Sequence, residues 1–203
     1  MSYPPVPEQR RRSAGLATHG VRAVTALTLV LLVTAAMWVL EFVDYTMDGA
    51  LDEFGIQPHD VRDLPDIFTA PFLHVGFGHL LSNTVPFIIL GFLAAARGVA
   101  KFLAASLVVI IVGGLGVWFT SSVNTLGASI LVFGFFGYLL GRGIFERHWL
   151  DIAIAVGVVA VYGMTFLAGV LPGDPLISWQ GHLFGLLGGL LAAWMFRRSL
   201  DGR

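Results

Sequence analysis

Apolar residues in this chain run together in blocks near 20 residues long, separated by shorter polar or charged stretches. A block of that length crosses the hydrocarbon core of a bilayer as one α-helix, rising about 1.5 Å per residue. Six such blocks are read at 21–43, 79–96, 102–118, 125–141, 152–171 and 179–196. The pattern predicts an all-α, polytopic membrane protein, a bundle of six transmembrane helices. The stretch 1–20 is polar, basic and proline-containing, and reads as a disordered tail. Residues 21–198 read as the membrane domain and 199–203 as a second, short tail. Arg10-Arg11-Arg12 ahead of an apolar run is the layout of a secretory signal. The run 21–43 is longer than a signal's apolar region and is followed by no convincing cleavage site, so it is expected to be a retained first span.

Composition supports this class. Apolar residues make up 56% of the chain and charged residues 12%, against about 25% charged in a soluble domain. No cysteine is present, which excludes disulfides, thiol chemistry and cysteine metal sites. No cofactor, metal or nucleic-acid partner is expected.

The distribution of charge fixes an expected orientation. Arg10, Arg11, Arg12 and Arg22 precede the first span, Arg97 and Lys101 lie between the second and third, Arg142 and Arg147 lie between the fourth and fifth, and Arg197, Arg198 and Arg203 follow the sixth. With alternating spans all of these fall on one side, and only Arg62 falls on the other. Lys and Arg accumulate in cytoplasmic loops, so both termini are expected in the cytoplasm. Trp38, Trp118 and Trp179 fall near the outer ends, and Trp149 and Trp194 near the inner ends, where an indole keeps its ring apolar and its N–H wet. The first outer loop, 44–78, is long and acidic, with Asp44, Asp48, Asp52, Glu53, Asp60, Asp63 and Asp66. Those charges read first as solvated, and the apolar piece 67–73 as lying in the membrane interface. A loop of that length without a role is uncommon. Leu171-Pro172-Gly173-Asp174-Pro175 reads as a turn.

Depth then sorts the polar residues. Ser129 lies about four residues into the fourth span from the outer side, and His182 about three residues into the sixth. His79 opens the second span from the same side, with Asn83 one turn deeper on its face. Nothing comparable is expected near the inner ends, and no intramembrane carboxylate stands out. An ionisable residue inside a span is costly and marks function. A serine hydroxyl needs a base to take its proton, and a neutral imidazole in an apolar site is that base. The oxyanion of an acyl-transfer intermediate needs oriented donors. The Asn83 amide, a His79 ring N–H and the Ser129 backbone N–H are available, the last because early helical N–H groups lack internal acceptors. A Ser129–His182 dyad is therefore expected, without a third member.

Plainer roles exist for each residue. A membrane-helix serine most often bonds its own backbone, and His79 has an interfacial role open to it. His74 is expected to make a structural hydrogen bond, while His19, His59 and His148 are expected in solvent or at the interface. Pro86 frees the carbonyl of Ser82 within the second span. Gly181, Gly185, Gly188 and Gly189 around His182, and Gly127, Gly134, Gly137 and Gly141 along the fourth span, have the spacing that lets membrane helices pack closely.

Three motifs resemble those of the rhomboid intramembrane serine proteases. His74-Val75-Gly76-Phe77-Gly78-His79-Leu80-Leu81-Ser82-Asn83 is similar to the family's His-x4-His-x3-Asn pattern at the start of the second helix. Gly127-Ala128-Ser129 is similar to its Gly-x-Ser-Gly nucleophile motif, and Gly181-His182-Leu183-Phe184-Gly185, with Gly189, to its base motif. The resemblance implies a six-helix rhomboid bundle, Ser129 as nucleophile and His182 as base. It implies oxyanion stabilisation by His79, Asn83 and the Ser129 N–H. It also implies a bacterial inner membrane location and single-pass membrane protein substrates, cut near the outer face and admitted laterally near spans two and five. Ile130 stands where the family has glycine, Phe133 where many relatives have tyrosine, and Pro65-Asp66 near the place of a Trp-Arg pair. Ile130 is the feature that favours an alternative, a weak or inactive rhomboid-like protein that binds membrane helices without cutting them. A small transporter would show polar residues at every depth and a repeat, and neither is seen.

Overall fold

The computed structural model describes residues 8–173 and 177–197, with side chains from Gly20 onward. The predicted tail residues 1–7 and 199–203 and part of the Leu171–Pro175 turn lie outside the described residues, as do the side chains of Arg10, Arg11, Arg12 and His19. Among the described residues the chain forms six α-helices: α1 (Glu8–Thr46), α2 (Phe77–Ala96), α3 (Val99–Thr120), α4 (Ser129–Glu146), α5 (Trp149–Gly169) and α6 (Trp179–Met195). Helix α1 begins at Glu8, ahead of the boundary read at 21, because residues 8–19 are dominated by good helix formers. The first five helices are long and apolar enough to cross a membrane. At 17 residues α6 sits at the lower limit for a span. The result is a polytopic helical membrane protein, as the apolar blocks predict. Helix α2 runs unbroken through Pro86.

Helix α4 is the hub. It packs on α6, α5, α2 and α3, while α1 lies mainly along α2, and α5 rests mainly on α4. Lipid tails are as apolar as leucine, so association depends on close packing. Glycines supply it. A methyl group on Gly189 would run into the Gly134 carbonyl and come within 2.7 Å of the Tyr138 amide nitrogen; one on Gly141 would come within 2.6 Å of the Ala193 Cβ. Ile130 is 1% exposed, and its side chain fills a notch where Gly113 and Gly181 lack side chains. The bulk that replaces the family's glycine thus points between α3 and α6.

The acidic loop 47–76 is not simply solvated. It folds into three short 3₁₀ turns, Ala50–Phe54, Leu64–Phe68 and Ala70–Phe72. Ile67, Ala70 and Pro71 are buried, and Ile67 packs where Gly114 of α3 leaves room, so the apolar piece expected at the interface is mostly core. Asp44 is buried as well, and its Oδ1 accepts the Leu51 N–H at 2.6 Å.

The opposite end of the bundle holds buried charge that the sequence reading does not anticipate. Arg142 lies inside α4 rather than in the following loop. Its Nε donates to Asp151 Oδ1 at 3.1 Å, and its Nη1 lies 3.4 Å from Glu146. Arg97 grips the same aspartate with both prongs, Nε to Oδ1 at 3.0 Å and Nη2 to Oδ2 at 2.9 Å. Charges taken out of water persist when paired and hydrogen-bonded. Lys101 Nζ donates to the Phe196 carbonyl nearby, at 2.6 Å.

Two outcomes test this packing. Gly189→Ala should lower stability by about 2–3 kcal/mol through overpacking, whereas Gly157→Ala, with nothing within 4 Å, should leave it unchanged or slightly higher. Unfolding midpoints in detergent compare them, and equal midpoints would mean that α4 and α6 are not in backbone contact. Asp151→Asn removes the one negative charge that Arg97 and Arg142 share and should cost about 3 kcal/mol in the same assay.

Candidate active site

The approach to Ser129 is held by four backbone ties to the acidic loop. Ile56 and Thr125 exchange both N–H···O bonds, at 2.8 and 3.2 Å. The Gly127 N–H donates to Ala70 O at 2.9 Å. The Ala128 N–H donates to His74 Nε2 at 3.2 Å. These ties, with φ +127° at Gly127, keep 125–127 out of the helix. Helix α4 therefore begins at Ser129 rather than at Thr125, and the serine is its first residue instead of its fourth or fifth. Ser129 is half-buried. Its backbone N–H lies in the first helical turn, at the positive end of the helix dipole.

That position alters what the hydroxyl can do. Thr34, Thr84 and Ser106 each donate to the carbonyl four residues back in their own helices, at 2.8–2.9 Å. Ser129 has no helical carbonyl behind it. Among the described residues its Oγ makes no hydrogen bond, so the usual role of a membrane serine does not apply to it.

His182 lies in the first turn of α6, whose Ser178 cap accepts the Gly181 N–H at 3.2 Å. The imidazole stacks on the Phe133 ring at 3.9 Å between centroids and 7° between planes. Phe133 is four residues beyond Ser129 and shares its face of α4, so the stack sets His182 beside the serine-bearing face. Phe133 and Phe166 of α5 lie 4.2 Å apart between centroids, backing the stack. His182 Nδ1 is 2.9 Å from the Gly169 carbonyl. A carbonyl only accepts, so Nδ1 carries the proton and Nε2 keeps its lone pair. No hydrogen bond joins Ser129 to His182 among the described residues; catalytic contacts in the free state are often loose.

Helix α2 supplies the third side. The His79 ring lies against Gly127, where a methyl group would come within 2.6 Å of Cε1. His79 is within electrostatic reach of His182. Asn83 is buried one turn on, and one of its amide hydrogens goes to the His79 carbonyl at 3.1 Å, leaving the other available. His74 makes the structural hydrogen bond expected of it. Burial, with His79 close by, pushes its imidazole down to about 3, so it is neutral at physiological pH. The His74 and His79 rings meet edge to face at 5.3 Å.

Ser129, His182, His79 and Asn83 thus gather at one end of the bundle on three helices. Sequence reasoning missed two features, one at the site and one beyond it. Gly169 acts through its carbonyl, for which no side-chain signal exists. Glu41, 3% exposed in α1, is an intramembrane carboxylate after all. A charge inside the run 21–43 is the signal that marks it.

Comparison with known proteins gives the same family as the motifs. The rhomboid domain matches residues 62–199. Uncharacterised proteins of Mycobacterium tuberculosis and Mycobacterium bovis are 37% identical over 187 residues, covering 88% of this chain and 78% of theirs. A Bacillus subtilis protein named "Putative rhomboid protease YdcA" is 29% identical over 140 residues, covering 68% of this chain and 69% of its own. A domain match over most of the chain, with motifs whose residues converge in space, leads to one statement: the chain belongs to the rhomboid family.

Proposed function

We propose that this protein is a serine endopeptidase that cleaves transmembrane segments of membrane proteins, with Ser129 as nucleophile and His182 as general base. The observation that carries this reading is the state of His182. Its Nδ1–H is committed to Gly169, its ring is clamped on Phe133, and its bare Nε2 is left as the only proton acceptor on the ring.

The chemistry follows from these residues. Nε2 takes the Ser129 proton as Oγ attacks the scissile carbonyl carbon. The carbonyl oxygen becomes an oxyanion, and the Ser129 N–H, the free Asn83 amide hydrogen and a His79 ring N–H are the donors at that end of the bundle. The C–N bond breaks as the imidazolium returns its proton to the leaving amine, giving an acyl-serine. Water then attacks this ester, again with Nε2 as base, and releases the acid.

Orientation and substrate class belong to the same proposal. Arg97, Lys101, Arg142 and Arg197 sit at the end remote from Ser129, which supports a cytoplasmic position for that end and a cut near the outer face. The lightly held α5, with Val161, Met164 and Leu167 exposed, supports lateral access for a single-pass substrate from the lipid bilayer on that flank. The alternative, a helix-binding relative without activity, rested on Ile130, and that side chain points away from the serine-bearing face.

Ser129→Ala and His182→Ala should each abolish cleavage of a tagged single-pass substrate and labelling by a fluorophosphonate, with both variants still folded in detergent. Absence of labelling in the unaltered protein would favour the helix-binding alternative. Asn83→Ala should lower kcat by roughly 10- to 100-fold, because other donors remain. Phe133→Ala frees the imidazole and should lower kcat about tenfold with KM little changed. A loss confined to KM would place Phe133 in substrate binding instead.

A further inference from the structure

Three polar atoms with no part in the chemistry above share one small cavity between α1 and the acidic loop. The cavity has about 140 Å³ of empty space and is too narrow for a water molecule. Glu41, Asp44, Asp52 and His74 are among its lining residues. Glu41 Oε2, Asp52 Oδ1 and His74 Nδ1 are buried and lack hydrogen-bond partners among the described residues. Glu41 is 3% exposed and His74 2%.

The protonation of His74 follows from its other nitrogen. Nε2 accepts the Ala128 N–H, so it carries no proton. The ring is neutral, so the proton sits on Nδ1, which lines the cavity. A lone donor therefore shares a cavity with lone carboxylate acceptors. Each buried group left unpaired is costly, and a small side-chain rotation that joins donor to acceptor relieves two at once. Of the three carboxylates Glu41 is the partner best placed. Asp44 already receives the Leu51 N–H. Asp52 is only half-buried. Glu41, at 3% exposed, is the most deeply buried of the three, so its unpaired oxygen is the costliest to leave without a donor.

We infer that Glu41 is a positioning residue: its carboxylate accepts the His74 Nδ1–H, and His74, through Nε2, holds the Ala128 N–H and so fixes the peptide immediately before Ser129. The effect on turnover rests on the proposed protease activity; the hydrogen bond itself does not. A carboxylate on one imidazole nitrogen fixes the tautomer and strengthens the other nitrogen as an acceptor, as it does for histidines that bind metals. The consequence is a chain of contacts from α1, which barely touches α4, to the start of the nucleophile's helix.

The test uses the full chain in lipid nanodiscs with 15N-labelled histidine. The His74 resonance should show Nδ1 protonated, with a strongly downfield proton that moves upfield in Glu41→Leu and far less in Glu41→Gln, whose side-chain carbonyl still accepts. A ring protonated on Nε2, or an Nδ1 proton indifferent to Glu41→Leu, would overturn the hydrogen bond. On a single-pass substrate, Glu41→Leu should lower kcat about tenfold at unchanged KM, Glu41→Gln should retain most of the rate, and Glu41→Leu should add no further loss in a His74→Phe background. Additive losses in that cycle would overturn the route through His74. If the unaltered protein cuts nothing, the protease reading fails while the resonance still decides the contact.

Discussion

Gly185 and Gly189 bring the backbone of α6 against the carbonyls of Ile130 and Gly134 on α4, in a solvent that offers apolar helices no hydrophobic reason to associate. Everything at the candidate site is referenced to that contact. Ser129 and Phe133 ride on one helix and His182 on the other, and the 3.9 Å stack of His182 on Phe133 exists only at this backbone separation. A larger side chain at either glycine would push the imidazole off the ring and away from the serine's face. The same approach accounts for the tolerance of Ile130. Gly113 and Gly181 open a space for it on the side away from the candidate site, so room is taken from α3 and α6 rather than from the serine-bearing face.

The second constraint is the start of α4. A helix that began at Thr125 would bury Ser129 within a regular turn and commit its N–H to an internal acceptor. The loop 47–76 prevents this by taking up Thr125, Gly127 and Ala128 in hydrogen bonds of its own. Irregular backbone is tolerated at membrane depth only where protein groups satisfy it. The loop meets that requirement and leaves Ser129 at a helix terminus with an uncommitted N–H and hydroxyl. Length in this loop thus serves the site through backbone atoms of Ile56 and Ala70 and the ring of His74.

Much of this was legible in the sequence because lipid imposes simple rules. Apolar blocks near 20 residues long rarely form anything but spans, and a serine and a histidine at matched depths stand out against them. Local boundaries were less legible. The onset of α4 depends on Ile56 and Ala70, far away in the chain, so no pattern around Thr125 could have revealed it. The acidic loop misled for a related reason: Asp44 and Ile67 are buried by tertiary contacts, while composition alone suggests water and interface. Arg142 misled because a cation near a helix end reads as exposed until its carboxylate, nine residues on, folds back on it. Glu41 was visible as a charge within a span, and its significance emerged only when His74 was seen to face the same cavity.

The two ends of the bundle show how polarity is managed differently under one physical rule. At the remote end Arg97, Arg142 and Asp151 saturate one another, and such a cluster is rigid because any motion would expose an unpaired charge to a medium of low dielectric. At the serine end the polar groups keep hydrogen-bonding capacity open. His182 is bound at Nδ1 and open at Nε2, Asn83 keeps one amide hydrogen, and Ser129 keeps both its N–H and its hydroxyl. Half-satisfied groups cost stability, and a fold retains them where their free valence has something to meet. That asymmetry, more than the presence of any one residue, is what distinguishes the proposed site from polar side chains that merely hold membrane helices together.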